Sequence, residues 1–174
     1  MNILPILHTG KLIVITTSHE TREQITVLTA ELALRGAVTI LDGGNRFAAY
    51  QTIRMLRKRT HKIEEAANRI FVRRAFTCYQ MLTLLENSPP LQQPYIVQDI
   101  FATFYDENVE LKEVDRLLDR CLVQLDRLRL TGPVVITMKP HPDRSFLLER
   151  LLAKADHVFE LEIPYPVISQ PALF

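Results

Sequence analysis

The sequence predicts an α/β protein whose mainly parallel sheet is covered by helices on both faces. Three observations carry that expectation. Short runs rich in Val and Ile recur at 11–16, 38–41, 70–76, 95–99 and 134–138, and stretches with apolar residues spaced at three and four lie between them. Gly, Pro and Asp-Gly junctions mark many of the changes of period. Apolar runs without alternation suit strands buried on both faces, and their alternation with amphipathic helices predicts right-handed crossovers in a three-layer fold.

Each element has its own signal. The first strand, KLIVIT at 11–16, leads into a helix over 21–35 that Thr17 and Glu20 open as a capping box and Gly36 stops. The run 38–41 ends in Asp42-Gly43-Gly44-Asn45 and feeds a second helix over 46–59, with Phe47, Tyr50 and Ile53 on one face. A short helical piece at 63–68 precedes a third strand at 70–76. A helix through Leu82 and Leu85 then ends before Pro89-Pro90, and 95–99 is a fourth buried strand. The longest helix places Leu111, Val114, Leu117, Leu118, Cys121, Leu122, Leu125 and Leu128 on one stripe, with Asp and Arg opposite. Gly132-Pro133 introduces the strand 134–138. A helix at 144–155, a strand at 157–162 and a Pro-rich tail follow.

A chain of 174 residues, 47% apolar and 24% charged, has the size and composition of one globular domain spanning 1–174. Its formal net charge of +1 is unevenly spread. Residues 46–74 hold Arg46, Arg54, Arg57, Lys58, Arg59, Lys62, Arg69, Arg73 and Arg74 against Glu64 and Glu65, a local net of +7 that leaves −6 for the rest. Cys78 and Cys121 fall on apolar positions without the spacing of a metal or redox motif, which reads as reduced core thiols. A basic leader, a long apolar span, repeats and low-complexity tracts are all lacking in this sequence, so a cytoplasmic (nucleoid-associated) or nuclear protein with no membrane contact is expected.

Strand ends are where an open parallel sheet binds ligands. At 70–81 the chain reads IFVRRAFTCYQM, at 95–99 YIVQD with Tyr105 beyond, and at 134–137 VVIT. These stretches, in this order and spacing, resemble the core of the RecA-type recombinases over residues 38–141, especially the archaeal and eukaryotic branch. The first is similar to that family's "ARAFNTDHQ", the second to its Walker B strand, and the third to the strand usually followed by Asn-Gln. The resemblance implies a RecA-like three-layer fold.

It also implies a nucleotide site, and here the chain departs from the family. A phosphate loop needs glycines and a lysine, yet the turn after the first strand reads TSHETREQ at 17–24, with Glu23 in the lysine's slot. The family's "DTEG" corresponds to Asp42-Gly43-Gly44-Asn45, so its catalytic carboxylate becomes Gly44, and the γ-phosphate-sensing Gln becomes Lys139. Thr17, Arg22, Glu23, Asp42, Gly44, Asp99 and Lys139 thus outline a degenerate site. Loss of cradle, lysine and base together argues against ATP hydrolysis. Asp42 and Asp99 have two open readings, as residual ligands of Mg²⁺ or nucleotide and as local caps. His141, between two prolines, reads as a turn residue, and Ser18, His19 and Glu20 as a cap and not a nucleophilic site.

The basic block is the stronger functional signal. Arg54, Arg57 and Lys58, spaced at three and four, are expected on one face opposite Phe47 and Tyr50, with Arg59, His61 and Lys62 extending it. With Arg46, Arg73 and Arg74 they make a candidate nucleic-acid surface. The other reading is a solvated face whose arginines pair with the acid-rich long helix. The loops after Asp99 and Lys139 are short for the family's DNA-contacting loops, and no clear Phe-x-x-Ala protomer-linking motif lies near the N-terminus.

Three functions follow as expectations. One is a non-catalytic RecA-fold accessory or scaffold in homologous recombination or DNA repair, similar in design to the ATPase-lacking paralogues of Shu-type complexes, with a RecA-like or recombination protein as partner and DNA as a non-specific ligand, as a homo- or heterodimer. A second is a regulator of a protein target without DNA, as in bacterial division inhibitors of this fold. The third is a residual nucleotide binder using Arg22 and Asp99. The first two invoke no cofactor or metal. The apolar tail from 163 and residues 1–7 read either as cover for the domain or as docking segments.

Overall fold

The computed structural model describes residues 3–17 and 22–161. The Thr17 side chain, the Glu20 arm of the expected capping box and the tail from 163 lie outside that description.

Six strands form one sheet: β1 (Leu12–Thr17), β2 (Val38–Asp42), β3 (Ile70–Arg74), β4 (Tyr95–Gln98), β5 (Val134–Met138) and β6 (His157–Leu161). Their order is β3-β2-β4-β5-β1-β6, and every pairing is parallel. The helices are α1 (Arg22–Arg35), α2 (Ala49–Arg57), α3 (Ile63–Ala67), α4 (Cys78–Glu86), α5 (Leu111–Arg129) and α6 (Ser145–Leu152). This is a three-layer RecA-like α/β fold.

Alternate residues of the central strands divide the core in two. Leu12, Val14, Leu41, Tyr95, Val97, Val134 and Ile136 face α4, α5 and α6. Ile13, Ile15, Val38, Ile40, Ile96 and Val135 face α1, α2 and α3. With both faces covered, neither set can be polar, which is why these strands read as unbroken apolar runs. Each large aliphatic side chain buried this way contributes about 1.5–3 kcal/mol. The leucine stripe of α5 is buried from Val114 to Leu128, and Cys78 and Cys121 are both free thiols in the same cluster. Ile3 is buried against the α1 side with Leu4, Ile6 and Leu7 around it, so residues 3–7 act as cover.

Three elements are shorter than their sequence signals by more than one residue, one of them the last helix, which spans Ser145–Leu152 instead of 144–155. The second helix begins at Ala49 instead of Arg46, because the Asp42 carboxylate accepts the N–H groups of Arg46 and Phe47, each at 2.9 Å, and holds that segment as a loop. The third strand ends at Arg74 instead of Phe76. Phe76 N–H donates to the Gln80 side chain at 2.8 Å while Thr77 Oγ1 accepts from Gln80 N–H at 3.1 Å, a reciprocal cap that starts α4. Edge strand β3 is also barely covered: Phe71 and Val72 are 54% and 37% exposed.

Candidate functional site

The carboxyl ends of β2, β4 and β5 bring Asp42, Gly44, Asp99 and Thr137 together. Asp42 is fully buried at the end of β2, in register with Gln98 of β4 and Arg74 of β3. Besides the two backbone N–H groups, it accepts Arg74 Nε at 3.3 Å. A buried carboxylate is stable only when its charge and lone pairs are matched, and here both oxygens have donors. Asp42 therefore acts as a cap that ties β2 to the loop behind it and to β3.

Asp99 sits one residue past β4 with φ of +49°, a left-handed conformation that Asp tolerates. Its N–H donates to Thr137 Oγ1 at 2.9 Å, and that hydroxyl donates to Asp99 Oδ1 at 3.3 Å. Arg46 Nε lies 3.8 Å from Asp99 Oδ2. The 43–44 segment crosses directly over this residue: Gly43 N–H donates to Gln98 O at 2.8 Å, and a Cβ at Gly44 would lie 2.7 Å from both Asp99 Cβ and Oδ2. The space that a side chain at position 44 would need is thus taken by Asp99.

The remaining members of the sequence-derived site lie elsewhere. Arg22 and Glu23, at the start of α1, line a cleft between α1 and α2 with Thr26, Gln51, Arg54, Met55 and Lys58. Asp99 is not among the lining residues, so Arg22 and Asp99 do not share this pocket. Lys139 is exposed beyond β5, and its carbonyl accepts the Tyr105 hydroxyl at 2.8 Å. Burial, reinforced by the negative charge of Asp99, pushes the Tyr105 phenol up to about 12, so it serves there as a neutral donor. His141 stacks on Tyr105 at 4.8 Å and accepts from Asp143 N–H at 3.4 Å, as befits a turn residue. Among the described residues no cluster of three His, Cys, Asp or Glu side chains has the geometry of a metal site.

The basic block separates into paired and unpaired cations. Arg46 pairs with Asp99, Arg59 with Glu31, Lys62 and Arg69 with Glu65, and Arg74 with Asp42. Arg73 reaches the Asn87 carbonyl at 3.5 Å. Arg54, Arg57 and Lys58 are exposed, and among the described residues they have no ion pair. The expected pairing with the long helix does not occur, because α5 packs on the opposite side of the sheet from α2. Its Asp115 and Asp119 pair with Arg150, and its Asp126 with Lys154.

The expected placement of Tyr50 opposite the cations is corrected. Thr52 and Leu56 form the buried side of α2, and Tyr50 is 72% exposed. Spacings of four, seven and eight put Tyr50 on the same side as Arg54, Arg57 and Lys58. That spacing is present in the sequence, whereas the grouping of Tyr50 with Phe47 and Ile53 on one face does not hold in the folded chain. Gln51, Met55 and Thr26 also escaped notice, since only the packing of α1 on α2 brings them together.

The chain matches no protein-family model and no curated protein. No helix among the described residues is long and apolar enough to cross a membrane.

Proposed function

We propose that this chain is a non-catalytic RecA-fold accessory or scaffold protein of homologous recombination or DNA repair, contacting DNA through the outer face of α2 and acting with a protein partner. The observation that carries the proposal is the exposed set Tyr50, Arg54, Arg57 and Lys58, in which three cations lack acidic partners among the described residues. Unpaired cations release counterions from a phosphate backbone on binding, and an interleaved aromatic ring adds a stacking surface for bases. The non-catalytic part is supported by Asp42, whose oxygens are taken by Arg74 and two N–H groups, and by Gly44, which has no room for the side chain a water-activating carboxylate needs. The partner is another RecA-like or recombination protein, and edge strand β3, with Phe71 and Val72 exposed beside Phe76 and Tyr79, suits its docking.

Fluorescence anisotropy with labelled single- and double-stranded oligonucleotides over a salt series tests the DNA component. Binding should be weak, independent of sequence and salt-sensitive. R54A/R57A/K58A should lower the slope of log affinity against log salt by about 2 for a single strand. An absence of binding at low salt, alone or with the partner, rules this component out. The exposed β3 edge also favours a second reading, a regulator of a protein target without DNA. Capture of a stable protein complex from the native cell by a chain with no DNA affinity would establish it.

A further inference from the structure

The cleft between the first turns of α1 and the second half of α2 shares Arg54 and Lys58 with the α2 outer face and adds Arg22, Glu23, Thr26, Gln51 and Met55 to them. It encloses about 530 Å³. Arg22, Arg54 and Lys58 supply three cations, Glu23 one carboxylate, and Gln51 an amide. Thr26 spends its hydroxyl on Arg22 O at 2.7 Å, which leaves its methyl, with Met55, as the apolar part of the lining. Arg22 Nε is buried without a hydrogen-bond partner among the described residues. A buried guanidinium N–H with no acceptor is costly, and an anion beside this guanidinium would offset that cost.

We infer that this cleft seats one nucleoside phosphate unit, with its phosphate held by Arg22, Arg54 and Lys58 and its sugar and base against Met55 and the Thr26 methyl. The chemistry follows from the lining: two guanidiniums and an ammonium suit a phosphate, while Met55 and Thr26 suit the less polar sugar and base. Glu23, at the same wall, opposes the phosphate charge and keeps binding weak. The unit has two sources, a free nucleotide and a residue within a nucleic-acid strand. The strand source deepens the DNA-contact reading and rests on it, whereas the free-nucleotide source stands without it.

Titration of the full chain with thymidine monophosphate, oligothymidylate and inorganic phosphate at low salt separates these cases, with circular dichroism to verify folding of each variant. R22A should weaken thymidine monophosphate by about tenfold, the usual loss when a charge-assisted hydrogen bond is removed. R22K should recover part of it. E23Q should tighten it severalfold, an effect that a purely structural Glu23 would not give and that needs no disruptive change. R57A, which lies outside the cleft, should weaken oligothymidylate more than the mononucleotide. Mononucleotide binding that follows this pattern, with no oligonucleotide binding, upholds the cleft and ends the DNA reading. Oligonucleotide binding that responds to R57A but not to R22A or E23Q, with no mononucleotide binding, overturns the cleft and leaves the α2 face intact. Phosphate binding as tight as the mononucleotide overturns the nucleoside assignment.

Discussion

At the scale of single residues, Gly44 shows how one substitution carries two meanings. In sequence its resemblance to a recombinase motif implies a carboxylate that is lacking; in the folded chain it is the surface on which Asp99 rests. The loss could be read without a structure, but the compensating approach of Asp99 could not, because it depends on β2 and β4 being neighbours and on the left-handed turn at Asp99. G44A should therefore destabilise the fold by about 1–3 kcal/mol through overpacking. D99G removes both the colliding side chain and the positive-φ cost, so D99G/G44A should recover most of that loss. Urea denaturation of the four-membered cycle measures the coupling, and additive effects would show that the two positions do not press on each other. Tyr50 is the opposite case: its face follows from helical spacing alone, since it lies four, seven and eight residues before Arg54, Arg57 and Lys58.

At the scale of elements, every strand and α-helix among the described residues has its signal in the sequence, because each central strand is buried on both faces and each long helix keeps one apolar stripe. Two of the boundaries that differ are fixed by side chains acting on backbone. Asp42 captures two N–H groups that would have begun α2 a turn earlier, and the Thr77–Gln80 exchange ends β3 and opens α4. The second of these was legible as a T-x-x-Q box before an apolar run, whereas the first needed the burial of Asp42 to be known. T77A should cost about 1 kcal/mol, the usual loss of an N-cap, with a lower thermal midpoint and unchanged binding by the α2 face. T77S, which keeps the acceptor, should stay within a few tenths of wild type, and an equal loss in T77S would assign the effect to the Thr methyl instead.

At the scale of the whole molecule, a carboxylate just before β6 joins three distant parts of the chain. Asp156 Oδ2 accepts the Leu12 N–H at 2.9 Å at the start of β1, and its oxygens also pair with Lys11 at 3.2 Å and with Arg129, at the end of α5, at 3.2 Å. The Leu12 hydrogen bond, followed by the Lys11 and Arg129 charges, holds the Asp156 carboxyl below the usual carboxylate range. Asp106 and Glu113 are lowered too, the first by the Asn108 N–H and the second by Arg116. A carboxyl with a depressed folded-state value contributes stability that is present above its unfolded value, about 3.9 for Asp, and lost as the pH falls through the folded one. Unfolding free energy should therefore be flat near neutrality and decline below about pH 4 as protons bind preferentially to the unfolded chain. D156N keeps an acceptor for Leu12 but removes the charge. It should be less stable than wild type at pH 7, with the gap closing as the pH falls through the acid limb. Urea melts of both proteins across that range measure the gap directly, and a gap that stays constant down to the lowest pH would show that Asp156 acts through shape and not through charge.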